Sequence, residues 1–155
     1  KSLLENAGFQ NVRTYIQSGN VCVDAEEEHC SSVGFKIKQE IFKELGLEVP
    51  VVVIGKEDLE ACFKNNSYLK EKEYDTKKLY VAFISKELSS GALNDLKISQ
   101  FKPDEAAIDK SRIYIKYAVG AGKTRLDQKY IEKKLNVVAT IRNWNTVTTL
   151  LEMFE

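Results

Sequence analysis

The sequence predicts an α+β fold laid out in two consecutive halves, and three observations point there. Short apolar runs of strand length alternate with amphipathic stretches of helix length. β-Branched and aromatic residues flank turn-forming Gly and Asn. The element order in residues 79–155 recurs, less one strand, in residues 1–64. A chain of 155 residues, 43% of them hydrophobic, can bury a core as one domain or as two small ones packed together.

The first half opens with "SLLENAGF", which puts Leu3, Leu4 and Ala7 on one helical face and stops at Gly8, a residue suited to a left-handed helix end. "VRTYIQSGNVCVDA" places strand formers on both sides of Ser18-Gly19-Asn20, as a hairpin or a sharply bent strand does. In "SSVGFKIKQEIFKELGL" the residues Phe35, Ile37, Ile41, Phe42 and Leu45 recur near a helical period, which predicts an amphipathic helix ending at Gly46. The continuous apolar run "VPVVVIG" predicts a buried strand, and "KEDLEACFKN" a short helix. Residues 65–78, dense in both charge signs, form the expected connection between the halves, as solvated surface.

The second half reads as strand "KLYVAFI", helix around "LSSGALNDLK", strands "EAAID" and "RIYIKYAV", helix "RLDQKYIEKKL", strand "VVATI" and a final helix "NTVTTLLEMF". In "RIYIKYAV", alternation predicts Ile113, Ile115 and Tyr117 inside, with Tyr114 and Lys116 outside. The order is βαββαβ plus one helix, which right-handed crossovers wind into a plait with both helices on one face of the sheet. The first half shows that order without its first strand. We therefore expect two ferredoxin-like (βαββαβ) subdomains in tandem, residues 1–64 and 79–155, the first truncated or completed by residues outside this sequence.

Composition narrows the function. Lys plus Arg and Asp plus Glu number 23 each, so bulk electrostatic attraction to nucleic acid or a membrane surface is removed and any such role needs a local patch. No run of about 18 apolar residues is present, and the N-terminal stretch lacks the apolar core of a signal peptide. Cys22, Cys30 and Cys62 are odd in number and include no C-x-x-C pair, which fits reduced thiols and a cytoplasmic protein.

Four groups of residues invite a chemical reading. "VGAGKT" resembles the end of a phosphate-binding loop, but a Walker A loop needs Gly where Tyr117 stands, and no Mg-binding Asp ends "VVATI". The plainer reading gives Gly120 and Gly122 positive φ in a tight strand-to-helix turn and Thr124 the helix N-cap. Lys123, Thr124 and Arg125 then remain as a weaker anion site. His29, the sole imidazole, sits beside an acidic run in an expected loop, with nothing placing it by a nucleophile, and its spacing from Cys22 and Cys30 matches no structural zinc pattern. No catalytic constellation, metal site or cofactor site is expected.

The third group is a pair of polar segments, "YIQSGN" and "RNWNT". Gln17, Ser18, Asn20, Arg142, Asn143 and Asn145 offer a fork of donors and acceptors beside Trp144 as an apolar wall. The competing reading makes Asn20 a turn residue and Asn143 or Asn145 a helix cap, which accounts for neither Trp144 nor Arg142. The fourth group spans Lys110 to Lys134, with eight basic residues against two acidic ones, interleaved with Tyr114, Tyr117 and Tyr130. That pattern can track a nucleic-acid backbone. The leading expectation is a non-catalytic binding module for a small polar or anionic ligand, or for a protein partner. Nucleic-acid binding through the basic segment is the alternative, and an enzyme using an Asp or Arg is a third reading with no residue pattern behind it.

"VRTYIQSGNV", "LYVAFI" and "GKTRLDQKYIEKKLNVVATIRNWNTVTTLLEM" resemble domain-of-unknown-function family 1697, a set of mostly bacterial proteins, over essentially the whole chain. The resemblance implies two tandem ferredoxin-like α+β subdomains and no established activity. Members of that family start with a strand and a Gly-containing loop of the type "LRGINVGG", and this sequence has neither.

Overall fold

The computed structural model describes residues 1–16, 19–26 and 29–154. Helix α1 (Ser2–Asn6) buries Leu4 and leads through Gly8, at φ +91°, into the hairpin of β1 (Gln10–Tyr15) and β2 (Asn20–Asp24). The two strands pair antiparallel, with Tyr15 opposite Asn20. Helix α2 (Cys30–Leu45) ends, as its sequence predicts, on Gly46 in the left-handed conformation. Its buried face is Val33 and Gly34, with Ile37 half-buried beside them. A Cβ on Gly34 would stand 3.3 Å from the Val53 side chain, so glycine sets how closely the two segments approach.

The expected apolar face of α2 is only partly correct. Phe35, Phe42 and Leu45 are exposed, because at about 100° per residue Phe35 points about 200° away from Val33, and Phe42 lies one heptad further along the same stripe. The strand expected at "VPVVVIG" is also corrected: residues 51–54 are half-buried but lie outside any sheet. Among the described residues no backbone hydrogen bond reaches residues 47–54. An apolar run reports burial on both sides, and this one has it. Val52 and Ile54 pack into the core under the larger sheet, and Val53 into the core of the hairpin. A strand also needs a partner edge about 5 Å away.

Helix α3 (Lys56–Asn65) follows, then two 3-10 turns. The expected solvated connection is not wholly solvated, for Asn66 and Tyr68 are buried. Strand β3 (Leu79–Ile84), the one-turn helix α4 (Ala92–Asp95), β4 (Glu105–Asp109), β5 (Arg112–Lys116), α5 (Gln128–Leu135), β6 (Ala139–Asn143) and α6 (Trp144–Glu152) complete the chain. The "LSSGALNDLK" helix is thus shorter than expected.

The four strands form one antiparallel sheet in the order β4-β5-β3-β6. Alternation along β3 and β5 sends Ala82, Ile84, Ile113 and Ile115 to one face, where Leu96, Leu126 and Ile131 cover them from the α4 and α5 side. Leu79, Val81, Phe83 and Tyr114 face the other way and pack with Leu59 and Cys62 of α3 and Trp144 and Val147 of α6. Tyr114, expected outside, is 1% exposed. The expectation assumed one wet face, whereas this sheet is covered on both, so alternation decides which core a residue enters and not whether it is buried.

Candidate functional site

The two polar segments meet. Asn20 opens β2 and is buried, and its Nδ2 donates to the Tyr15 carbonyl at 3.2 Å, tying the start of β2 to the end of β1. Its Oδ1 accepts from Nε of Arg142, a residue 122 positions further along the chain, in β6 opposite Val81. Nη1 of Arg142 also donates to the Thr140 hydroxyl and, at 3.0 Å, to the Ile141 carbonyl. Thr140 and Arg142 are two apart in a strand and share a face, while Ala139 and Ile141 turn to the α5 side. Burial pushes the Arg142 guanidinium below its ordinary value. Thr140 escaped the sequence reading, although the period-two rule could have paired it with Arg142.

The other members of the predicted set separate. Asn143 is the N-cap of α6, its Oδ1 accepting from the Thr146 amide at 2.8 Å. Trp144 is buried in the core against Phe63, ring centroids 4.7 Å apart, and so walls no surface cleft. Asn145 is exposed on the first turn of α6. Gln17 and Ser18 lie outside the described residues.

At the glycine loop, Gly120 takes φ +109° but Gly122 does not adopt positive φ, which narrows the expectation to one glycine. Thr124 is not the cap of α5. Its hydroxyl accepts from the Leu126 amide at 3.1 Å, and Asp127 caps the helix by accepting from the Tyr130 amide at 2.8 Å. The helix starts at Gln128, so Asp127 holds the N-cap position and its carboxylate accepts from the third helical amide, while Thr124 lies too far upstream to do so. The buried Tyr117 hydroxyl donates to the Leu126 carbonyl at 2.7 Å, tying the two ends of the loop together. Lys123 and Arg125 remain exposed.

The basic segment is split by the fold. Arg112, 2% exposed, donates from Nη1 to the Asp58 carbonyl at 2.7 Å and from Nη2 to Asp109 at 2.9 Å. Asp109 also accepts from Tyr114 at 3.1 Å and from Asn65 at 3.0 Å. Burial alone would raise the Asp109 carboxyl, but the Asn65 hydrogen bond, the Arg112 charge and hydrogen bond and the Tyr114 hydroxyl together hold it below the usual carboxylate range. This cluster was missed as a unit. Its sequence signal is that Asp109 and Arg112 face each other across the Lys110-Ser111 turn. Lys116 is paired with Glu71 at 2.8 Å and Glu105 at 3.1 Å.

Among the described residues no group of three or more His, Cys, Asp or Glu is placed to hold a metal. His29 is the exposed residue before α2. Cys22 and Cys62 are buried and Cys30 exposed.

Fold and site together define an α+β protein in which a polar junction joins the N-terminal hairpin to the edge strand of a four-stranded antiparallel sheet. The chain belongs to the family described as "Protein of unknown function (DUF1697)", whose model matches residues 1–114. The "RNWNT" segment lies beyond that match. The chain is also similar to a solved structure of a conserved bacterial protein from Streptococcus pneumoniae, with a TM-score of 0.72 and 18% identity, over 99% of this chain and 86% of that one. No curated protein matches it. The family carries no assigned function, and no helix among the described residues is long and apolar enough to cross a membrane.

Proposed function

We propose that this chain is a non-catalytic binding module whose ligand is small and polar or anionic, bound where the hairpin meets β6. The observation that carries this reading is the hydrogen bond between Asn20 and Arg142, which brings the two polar segments to one place. The Arg142 guanidinium is half-buried and presents a planar fork of donors of the kind that suits carboxylate and phosphate groups. Gln17, Ser18 and Asn145 flank the junction in sequence and are the further contacts we assign. Lys123, Thr124 and Arg125 form a second, weaker anion contact.

The architecture we propose behind this module is a tandem of two ferredoxin-like subdomains, residues 1–64 and 79–155, joined by residues 65–78. The order β4-β5-β3-β6, with antiparallel pairing throughout, supports it for the second half. For the first half, support comes from the succession α1, β1, β2, α2, a half-buried segment at 51–54 that lies outside any sheet, and α3. A cytoplasmic location is in keeping with three free cysteines.

A thermal-shift screen of carboxylates, phosphates and nucleotides tests the function. At a concentration about 100-fold above its Kd, a true ligand stabilises the fold by about 2.7 kcal/mol. At least one compound should raise the melting temperature of the protein and fail to do so with Arg142→Ala and Asn20→Ala. A screen without a hit, or a hit indifferent to both substitutions, refutes the proposal.

A further inference from the structure

The fold removes Arg112 and Lys116 from the basic segment, yet it collects other cations on the outer side of the helical layer that covers the sheet. Lys97, Lys123, Arg125, Lys129, Lys133 and Lys134 are all exposed. Among the described residues none of the six has a carboxylate within salt-bridge distance. Three acids of the same layer accept from backbone amides, whereas Asp95 of α4 is exposed. Asp104 accepts from the Ala118 amide, Asp127 from the Tyr130 amide and Glu132 from the Ala139 amide, at 2.8, 2.8 and 2.9 Å.

These cations belong to one surface. The Tyr130 hydroxyl donates to the Leu96 carbonyl at 2.9 Å, which seats Lys97 beside α5, and Lys134 lies 5.7 Å from the Tyr130 ring centroid. Lys129 and Lys133 are one turn apart on the exposed side of α5, about 6 Å along its axis. Lys123 and Arg125 lie on the loop that enters the helix.

We propose that this face binds the phosphate backbone of a double-stranded nucleic acid. Two features select that partner. The face has no apolar anchor of the kind that dominates protein-protein interfaces, for Val119 is the single exposed large hydrophobic among the described residues of 79–154. It also has no stacking platform for unpaired bases, because Tyr114 and Tyr117 are buried and the Tyr130 ring packs edge-on against Phe101. Cations with neither are suited to sequence-independent contact with phosphates. The surface lies on the α5 side of the sheet, away from the Asn20–Arg142 junction on the other side, and shares with the reading above only Lys123 and Arg125.

The test is fluorescence anisotropy with a labelled DNA duplex of about 20 base pairs, titrated from about 50 to 200 mM salt. Four or so phosphate contacts give a slope of log K against log salt of about −3.5. The substitution pair Lys129→Glu and Lys133→Glu, both on exposed positions, should weaken binding at least about tenfold and flatten the slope by about two. Lys38→Glu, at an exposed position of α2 away from this face, should leave duplex binding unchanged. A polyglutamate peptide of equal charge should bind more weakly than the duplex. The proposal is overturned by no duplex binding at about 50 mM salt, by a slope indifferent to the lysine pair, or by polyglutamate binding as tightly as DNA.

Discussion

Replacing Arg112 by Met removes the charge at the centre of the Asp58–Arg112–Asp109 cluster and keeps most of the aliphatic volume. Taking one partner from a fully buried ion pair costs about 3–5 kcal/mol. Here the Arg112 side chain is 3% exposed, whereas those of Asp109 and Asp58 are 22% and 60% exposed, so water still reaches the carboxylates left behind. Asp109 also keeps the hydrogen bonds from Asn65 and Tyr114. The expected loss is therefore that of the charge-assisted bonds to Asp109 and to the Asp58 carbonyl, about 2–3 kcal/mol. For a chain of this length that lowers the melting temperature by about 6–9 °C. Chemical denaturation of Arg112→Met, Asp109→Asn and the double variant should return a coupling of about 1–2 kcal/mol. The pH dependence has a definite sign. Asp109 has a folded value below its unfolded one, so its contribution is fully present above the ordinary carboxylate range and is lost as pH falls through the depressed value. The gap between the parent protein and Arg112→Met should narrow below about pH 4. A melting temperature within about 2 °C of the parent at pH 7, or a gap that widens in acid, would refute the view that this cluster ties α3 to the β4–β5 hairpin.

Two further outcomes follow from burial. Trp144→Ala removes a core side chain packed on Phe63 and should cost about 3–5 kcal/mol in chemical denaturation, whereas Asn145→Ala, one residue along, should stay within about 0.5 kcal/mol. Iodoacetamide applied to the folded protein at about pH 8 should modify the exposed Cys30 and spare Cys62, whose thiol burial pushes up to about 12, as read by peptide mass spectrometry.

Much of the candidate site was legible at the level of segments and little of it at the level of roles. "YIQSGN" and "RNWNT" drew notice for their amides, and the hydrogen bond between Asn20 and Arg142 joins them. Within "RNWNT", however, three neighbours take three different jobs. Asn143 caps a helix, Trp144 fills a core and Asn145 faces solvent. A local pattern cannot separate these, because the helix starting at Trp144 sets the direction in which each side chain leaves the backbone, and the layer beneath sets what it meets. Arg112 makes the same point: by composition it is one more cation in a basic run, and by position it is the buried partner of Asp109.

What the order of residues determined by itself was the succession of most elements: the hairpin at Tyr15 and Asn20, the helix ending at Gly46, the strand at Leu79, and the βαββαβ order of the second half. Periodicity, caps and turn residues are properties of a few neighbouring positions, so they can be read along the chain. Only the tertiary structure decided that residues 51–54 are buried outside any sheet, that Tyr114 and Arg112 lie inside, that Lys116 is neutralised, and that positions 20 and 142 touch. Each of these depends on which layer covers which face and on contacts between positions far apart in sequence, and neither is encoded in a local period.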